Sequence, residues 1–477
     1  MQKRKISVFL LAIFLAFSCL FICSCTKENK KSSYTIQVKY LDGIIDGKLA
    51  YKFVNSYNSP FDCLKFNLYT NAYDENSSRK PVTQTNQSKA YPYGESYGQI
   101  TINSVLLKDE KIPFETYGEN NEFLKISTGT IPIGKEVEVE IDFTTQIPKS
   151  ILRLGETEDQ INLADFFPVA CKVERGDFKE ISYSTMGDPY FSNDCDYFVS
   201  LTLPSTFTVA SSGFPTQTNC EGNFTTYEYE LLSGRDFVFS LSQNYNVFSK
   251  NENGVTVNYY TTEKSGDSQL ALILDCVKFF TNTLGKIPYK SLSVVKSKYY
   301  YSGMEYSGLC MVSDELNEEE SKLAIIHEVA HQWFFGGVGS NQIEEPYIDE
   351  GLCEYLTYLY LSESEGESKA SEMISTAKSA YKSFFSIENL LSGKLETKMN
   401  KSIYDYKSEY EYVNLAYNKS LIAFYEYHKA VGKKVAISKL KKLYSKYKGS
   451  TIGYNELVQI FGHEEHFKSF VEGTVLI

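Results

Sequence analysis

The sequence is poor in histidine, proline and tryptophan, and its cysteine spacing and net charge argue against several classes of protein. Its 477 residues include five histidines, 12 prolines and one tryptophan. Seven of the ten cysteines follow the first 25 residues, an odd number without any C-x-x-C pair, which argues against a four-cysteine metal site or a dense disulfide scaffold. The formal net charge of −12 repels phosphate groups. We therefore expect no nucleic-acid partner.

The overall composition is that of an ordinary globular protein. Hydrophobic residues make up 42% and charged residues 23%, which excludes a wholly disordered or coiled-coil protein. The length suits two or three domains. Beyond the N-terminal segment, no apolar run is long enough to span a bilayer. Any membrane attachment is therefore expected to depend on that segment.

The first 25 residues have the order of an export signal, with three basic residues at positions 3–5 before an apolar run from Ile6 to Cys23. The end of the run, Ile-Cys-Ser-Cys at 22–25, resembles a bacterial lipobox, which implies that Cys25 is acylated. The polar segment Thr26–Ser33 then forms a tether. We expect a lipoprotein on the outer face of the bacterial cell membrane. An uncleaved membrane anchor and plain secretion are the alternatives.

The spacing of hydrophobic residues differs between two parts of the remaining chain. Residues 34–250 follow period two, most clearly at 135–143, where Val and Ile residues alternate with acidic ones, and this predicts an N-terminal β domain. Residues 251–477 change period, with a helix expected at Gln269–Thr283 and further helices to the chain end. The predicted fold class is α+β, with two domains.

Two of the histidines form the motif His-Glu-Val-Ala-His at 327–331. On a helix, His327 and His331 lie one above the other and can offer two nitrogen ligands to a tetrahedral zinc ion. Glu328 lies on a different face of that helix and suits the role of general base. The alternative is a buried helix with two core histidines, but it leaves Glu328 buried without a partner. The motif therefore predicts a metal site.

The flanking residues define the helix and supply a third ligand. Asn317 followed by Glu320 predicts a capping box at its start, and Gly336–Gly337 predicts its end. Catalytic zinc takes three protein ligands, and Glu350 follows the second histidine after 18 intervening residues. Glu354, one turn further on, is consistent with a place beside the metal or with simple exposure. The predicted ligands of one zinc ion are His327, His331 and Glu350.

The segments 327–334 and 347–351, His-Glu-Val-Ala-His-Gln-Trp-Phe and Tyr-Ile-Asp-Glu-Gly, resemble the gluzincin aminopeptidases. That family includes membrane alanyl aminopeptidase, bacterial aminopeptidase N and the leukotriene epoxide hydrolase. The resemblance implies a saddle-like N-terminal β domain followed by a thermolysin-like, mainly helical zinc-peptidase domain. Because the chain ends about 60 residues after Tyr417, we expect the family's large C-terminal helical domain to be absent.

Two further site residues follow from the same resemblance. Ser-Gly-Met-Glu-Tyr at 302–306 is similar to the family's Gly-x-Met-Glu-Asn edge strand, so Glu305 is expected to bind the substrate's free amino group. The departures at Ser302 and Tyr306 affect the expected contacts with the peptide backbone. Tyr-Asn-Lys-Ser at 417–420 resembles the Tyr-x-Lys-Gly motif, so Tyr417 is expected to stabilise the oxyanion.

The resemblance implies a surface-anchored zinc aminopeptidase, with Glu328 as base and peptides with a free amino terminus as substrates. Two alternatives stay open. The same metal site suits a zinc endopeptidase or an ester or epoxide hydrolase, and the chain could instead be a cell-surface binding lipoprotein with weak catalysis.

The segment Lys433–Lys448 is rich in lysine. Contact with anionic lipid is one interpretation of such a run. The sequence alone favours the other, a solvated helix face.

Overall fold

Alternating apolar residues build the first half of the chain around one large sheet. In strand Glu136–Gln146, Val139, Ile141 and Phe143 are buried, whereas the alternating acidic residues Glu138 and Glu140 are exposed. The computed structural model describes residues 30–392 and 396–473. The sheet runs, in spatial order, through Phe214–Glu221, Phe224–Gly234, Cys195–Pro204, Ser33–Leu41, Ile44–Val54, Glu136–Gln146, Gln99–Leu107 and Glu110–Lys111.

Smaller sheets complete this β half. Two of them have four strands each and a third is a two-stranded hairpin, and turns and short helical segments connect the strands. One four-stranded sheet runs through Thr208–Ser211, Phe239–Ser242, Ile161–Leu163 and Leu154–Glu156. The other runs through Val169–Ala170, Phe61–Asn67, Phe123–Ile131 and Phe114–Tyr117. A hairpin joins Lys172–Glu174 to Asp177–Lys179, and the short helical segments are Tyr69–Tyr73, Gln84–Asn86 and Gln87–Ala90.

The second half begins with a five-stranded sheet, and the strand at one edge of this sheet contains Glu305. Its spatial order is Asn246–Glu252, Val255–Thr261, Ser291–Ser297, Leu309–Ser313 and Gly303–Tyr306. Gly303–Tyr306 therefore lies at an edge and pairs with one neighbour, antiparallel. The first strand, Asn246–Glu252, spans the domain boundary expected at 250/251, which stays a prediction.

Helices dominate the chain beyond this sheet. The predicted helix at Gln269–Thr283 is Asp267–Leu284, and the helix with the histidine motif is Glu318–Ala330, named here the HExxH helix. The remaining helices are Tyr347–Ser364, Glu367–Ser392, Glu409–Tyr412, the π-helix Val413–Lys419, Ser420–Val431, Lys433–Tyr447, Tyr454–Phe461 and Glu464–Val471, with a 3-10 turn at Ile403–Asp405. A β domain followed by a mainly helical part confirms the predicted α+β class.

The described residues from Ser32 onward form one compact unit with a continuous apolar core. This core extends from Tyr34 in the β half to Trp333 behind the HExxH helix. Most of the cysteines outside the leader region are buried, and six of them are free thiols, namely Cys63, Cys171, Cys220, Cys276, Cys310 and Cys353. Within the described residues, no helix combines the length and the apolar character needed to cross a bilayer.

Candidate metallopeptidase active site

The HExxH helix begins at the predicted capping box but ends earlier than predicted. Asn317 Oδ1 accepts a hydrogen bond from the Glu320 amide at 3.0 Å, and Glu320 Oε2 accepts one from the Asn317 amide at 3.1 Å. The helix ends at Ala330, so the predicted end at Gly336–Gly337 is wrong. The chain turns at this point, and the Phe334 carbonyl lies 3.0 Å from His331 Nδ1. In a helix continued to Gly336 that carbonyl would point along the axis towards the C-terminal end, away from the His331 ring.

The three predicted zinc ligands converge at the end of this helix. His327 Nε2 lies 3.0 Å from His331 Nε2 and 3.2 Å from Glu350 Oε2, and His331 Nε2 lies 3.4 Å from the same oxygen. Donor atoms placed about 2.0–2.1 Å from one tetrahedral ion stand roughly 3.3 Å apart. The three side chains therefore fit a zinc ion, and the expectation of one zinc site agrees with this cluster.

An oxygen atom lies close to Nδ1 of each imidazole. His331 Nδ1 hydrogen-bonds with the Phe334 carbonyl at 3.0 Å, whereas His327 Nδ1 lies 3.1 Å from Glu354 Oε1, within ion-pair distance but without the geometry of a hydrogen bond. An acceptor at Nδ1 holds the proton there and leaves the Nε2 lone pair free for a metal. Glu354 therefore has a place beside the metal site, which the sequence left undecided. Its position one helical turn after Glu350 is the signal that could have found it.

Glu350 is held by a further side chain. The Tyr417 hydroxyl donates to Glu350 Oε1 at 2.6 Å, and the Tyr417 ring lies 5.9 Å from that of His327. Although burial alone would raise it, hydrogen bonds from His327 and His331 lower the pKa of Glu350 to about 2. The carboxylate is therefore ionised at neutral pH, as a metal ligand must be. Tyr417 lies close enough to the site for the predicted contact with substrate.

Glu328 is buried on the cleft side of the HExxH helix. Burial raises the pKa of its carboxyl to about 7, close to the value that suits a general base at neutral pH. Its Oε2 accepts no hydrogen bond from any described residue. The edge strand approaches so closely that a Cβ at Gly303 would stand 2.2 Å from Glu328 Oε1. Only glycine fits at this position without displacing the carboxylate.

Glu305 lies on the edge strand, next to the metal site. It is 3% exposed, and Gln342 Nε2 donates to its Oε1 at 2.9 Å. Carboxylate oxygens of Glu305 and Glu328 and a ring nitrogen of His331 lie within 4.8 Å of one another. Burial, followed by the charges of Asp188 and Glu350, raises the pKa of Glu305 well above its usual range. The crowding of carboxylates favours a cation at this end of the site.

Sequence reasoning missed two residues of this region, Asp188 and Gln342. Asp188 comes from the β half and is buried in an ion pair with Arg153, whose guanidinium also lies 4.9 Å from the Tyr301 ring centre. Asp188 is distant in sequence from the metal ligands, and Gln342 lies between His331 and Glu350 without a motif that marks it. The motif Gly-Asp-Pro at 187–189 gives only a weak signal of a turn.

The cluster opens into a cleft of about 1310 Å³ between the β half and the helices. The edge strand, the HExxH helix and the helix Tyr347–Ser364 form its floor. Ser88, Lys89 and Glu409 also line the cleft, and next to them Asn86 Nδ2 donates to Glu409 Oε1 at 3.1 Å. A cleft of this size can take an extended peptide of several residues.

The leader region is outside the described residues. Cys25 and its predicted acylation, together with the signal at 1–25 and most of the tether at 26–33, therefore stay predictions.

An HExxH helix, a glutamate on the following helix and a flanking β half define the fold and metal centre of a zinc metallopeptidase. Residues 273–473 match the family model "Peptidase family M1 domain". This match confirms the resemblance to gluzincin aminopeptidases of the aminopeptidase N type.

Individual relatives agree with this family. Aminopeptidase N of Lactobacillus delbrueckii subsp. lactis is 21% identical over 298 residues, which are 59% of this chain and 35% of that protein. The chain thus spans about a third of the length of this curated relative. The M1 zinc metallopeptidase of Deinococcus radiodurans has a crystal structure that matches with a TM-score of 0.65 at 12% identity, over 94% of this chain and 95% of that one. A mutant of the Deinococcus enzyme bound to a Tyr-Ser-Ala substrate matches with a TM-score of 0.65 at 13% identity, over 94% and 96%. These structures show that the fold is shared.

Proposed function

We propose that this chain is a surface-anchored zinc aminopeptidase that removes the N-terminal residue from peptides. One observation carries the proposal. A buried carboxylate, Glu305, lines the cleft close to the convergent metal ligands and to Glu328, whose Oε2 has no partner among the described residues. This arrangement supports a role for Glu305 as the anion that binds a substrate ammonium beside the hydrolytic groups.

Each side chain then has a distinct role. A zinc ion bound by His327, His331 and Glu350 supplies Lewis acidity to the scissile carbonyl and to the attacking water. Glu328 takes the proton of that water and passes it to the nitrogen of the leaving amine. Tyr417 donates a hydrogen bond to the carbonyl oxygen as negative charge develops there. Its hydroxyl must first leave Glu350 Oε1.

The position of Glu305 favours an aminopeptidase over an endopeptidase. It is 3% exposed and surrounded by other carboxylates, so a cation at this point relieves repulsion that an internal peptide segment would leave in place. The same metal ligands are compatible with ester or epoxide hydrolysis. A binding lipoprotein with weak catalysis would not need Glu328 held free of partners beside the metal ligands.

Turnover of an unblocked aminoacyl dye and of its acetylated counterpart tests the proposed activity. We expect hydrolysis of the unblocked dye, loss of activity with a chelator, and recovery on addition of zinc, because zinc provides the Lewis acid. The acetylated dye should hardly react. Equal turnover of the two dyes would contradict the aminopeptidase and leave an endopeptidase or esterase. A zinc-loaded protein that hydrolyses neither would support the binding lipoprotein.

The proposed anchor has its own test at Cys25. We expect the wild-type chain to begin at an acylated Cys25 and to partition into detergent. Cys25→Ala removes the acylated thiol, so the variant should be released from membranes or keep its signal. Mass spectrometry of the N terminus and detergent partitioning measure both outcomes. Recovery of a wild-type chain that begins at Met1 would replace the lipoprotein with an uncleaved anchor.

A further inference from the structure

The helix Lys433–Tyr447 carries an unusual concentration of positive charge for this acidic protein. Between Glu426 and Glu456 the chain has eight lysines and no acidic residue, although the whole protein has a net charge of −12. Six of them form what we call the lysine surface. The lysine surface consists of Lys434, Lys439, Lys441, Lys442, Lys446 and Lys448.

Within the described residues, no carboxylate neutralises the ammonium groups of the lysine surface. Lys439, Lys446 and Lys448 donate to uncharged oxygens, those of Ile460, Gln459 and Lys286. The other three, Lys434, Lys441 and Lys442, are exposed and have no carboxylate within ion-pair distance in the part of the chain that the structure describes.

Several other lysines of the helical half lie within ion-pair distance of a carboxylate. Lys322 lies 2.5 Å from Glu365, and Lys378 lies 2.6 Å from Glu426. Lys433, the first residue of the same helix, lies 3.4 Å from Glu367. These three lysines are paired with carboxylates, whereas the lysine surface gathers six lysines without an acidic partner, among the described residues, on one helix and its end.

The chain enters the folded body beside this helix. The Ser32 carbonyl accepts a hydrogen bond from the Asp196 amide at 3.2 Å. Two residues earlier, Asp194 Oδ2 stands 3.4 Å from where a Cβ on Gly449 would lie. Gly449 follows Lys448 directly. The point at which the leader joins the body and the end of the lysine surface are therefore neighbours.

The segment between Cys25 and the folded body is short, which limits the distance between an anchored membrane and Ser32. The seven residues at 26–32 follow Cys25, and even fully extended they span only about 25 Å. An anchor at Cys25 would hold the membrane within that distance of Ser32. The face next to Ser32, which includes the end of the lysine surface, is then the one best placed to meet the lipid.

We propose that the lysine surface docks onto the anionic lipid headgroups of the membrane that anchors the chain. The proposal rests on the proposed anchoring and not on the proposed peptidase activity. Anionic lipid attracts basic side chains close to its surface. As far as the described chain shows, none of the six lysines lines the cleft, so docking leaves the cleft open to peptides.

Lysine acetylation of the full-length, lipid-anchored protein on vesicles tests the docking. The vesicles contain phosphatidylcholine alone or mixed with phosphatidylglycerol, and mass spectrometry gives the rate at each lysine. We expect Lys434, Lys441 and Lys442 to react about fivefold more slowly on the anionic vesicles, the factor that corresponds to one lysine near such a surface. The exposed Lys108 and Lys111, on a hairpin of the β half, are internal controls and should react equally on both. About 1 M salt should abolish the difference, because it shortens the Debye length to roughly 3 Å.

Matched variants examine the dependence on charge. Lys441→Gln with Lys442→Gln should weaken docking about 25-fold and so return Lys434 to the rate seen on neutral vesicles. Lys108→Gln with Lys111→Gln should leave the protection of Lys434 unchanged. All four side chains are exposed, so neither variant should disturb folding.

The outcomes separate the docking from the other proposals. Equal acetylation of Lys434 on both vesicle types, with the protein attached to both, would overturn the docking and leave the anchor standing. Protection by nucleic acid in place of anionic vesicles would also overturn it. Failure to sediment with either vesicle would overturn the anchor and the docking together. Hydrolysis of an unblocked aminoacyl dye in the same samples reports the peptidase activity independently.

Discussion

Glu328→Gln should bind zinc as the wild type does and lose about 100- to 10,000-fold in kcat, the usual contribution of a general acid–base group. The substitution keeps the size and hydrogen-bonding reach of the side chain but removes its ability to take a proton. Glu328 is no metal ligand in the convergent cluster, which His327, His331 and Glu350 complete. Metal content by elemental analysis and kcat on an unblocked aminoacyl dye are the two measurements.

Ligand variants provide the contrast for this result. His331→Ala and Glu350→Ala each leave two protein ligands, so both should lose bound zinc together with activity. Activity that returns at high zinc concentration would show that the ligand loss acts through metal binding. Full activity in Glu328→Gln would mean that the assignment of the H-E-x-x-H residues is wrong.

Glu305→Ala should lose about 2–5 kcal/mol of transition-state stabilisation for substrates with a free amino group, roughly 30- to 4,000-fold in kcat/KM. The free amino terminus is cationic, and without Glu305 its charge would be desolvated and unpaired. The zinc content should not change, because Glu305 lies outside the cluster formed by the two histidines and Glu350. The loss should fall on the free member of a matched pair of free and acetylated substrates.

Glu315→Ala is the matched control for Glu305→Ala. Glu315 also lines the cleft but is exposed at its outer part, and an exposed charge contributes little. Its removal should change kcat/KM by less than about fivefold. Comparable losses in the two variants would attribute the effect to the overall charge of the cleft. Equal wild-type activity on free and acetylated substrates would end the aminopeptidase proposal and leave a zinc hydrolase.

The parts of the site that follow from local spacing could be predicted from the sequence. The four-residue interval between His327 and His331 fixes their common face on a helix, and the structure brings Glu350 to the same point. The start of the HExxH helix could also be predicted, because the capping box involves only Asn317 and Glu320. Period-two alternation likewise predicted the strand that is observed as Glu136–Gln146.

Contacts that depend on tertiary structure could not be predicted in this way. The helix ends at Ala330, before Gly336–Gly337, and the turn that follows brings the Phe334 carbonyl to the His331 ring, a contact that the two glycines do not indicate. Gln342 reaches Glu305 from another element, and Asp188 arrives from the β half. Neither residue has a local pattern that distinguishes it from an ordinary polar residue in a loop.

Tyr417 lies in the π-helical segment Val413–Lys419, so its position depends on the number of residues in that segment. A π-helical turn holds about one residue more than an α-helical turn. Deleting one residue would restore regular geometry and rotate the preceding positions by about 100° around the axis. The Tyr417 hydroxyl would then point away from Glu350, even with every side chain of the site retained. Insertions and deletions in this segment are therefore constrained as tightly as the identity of the tyrosine itself.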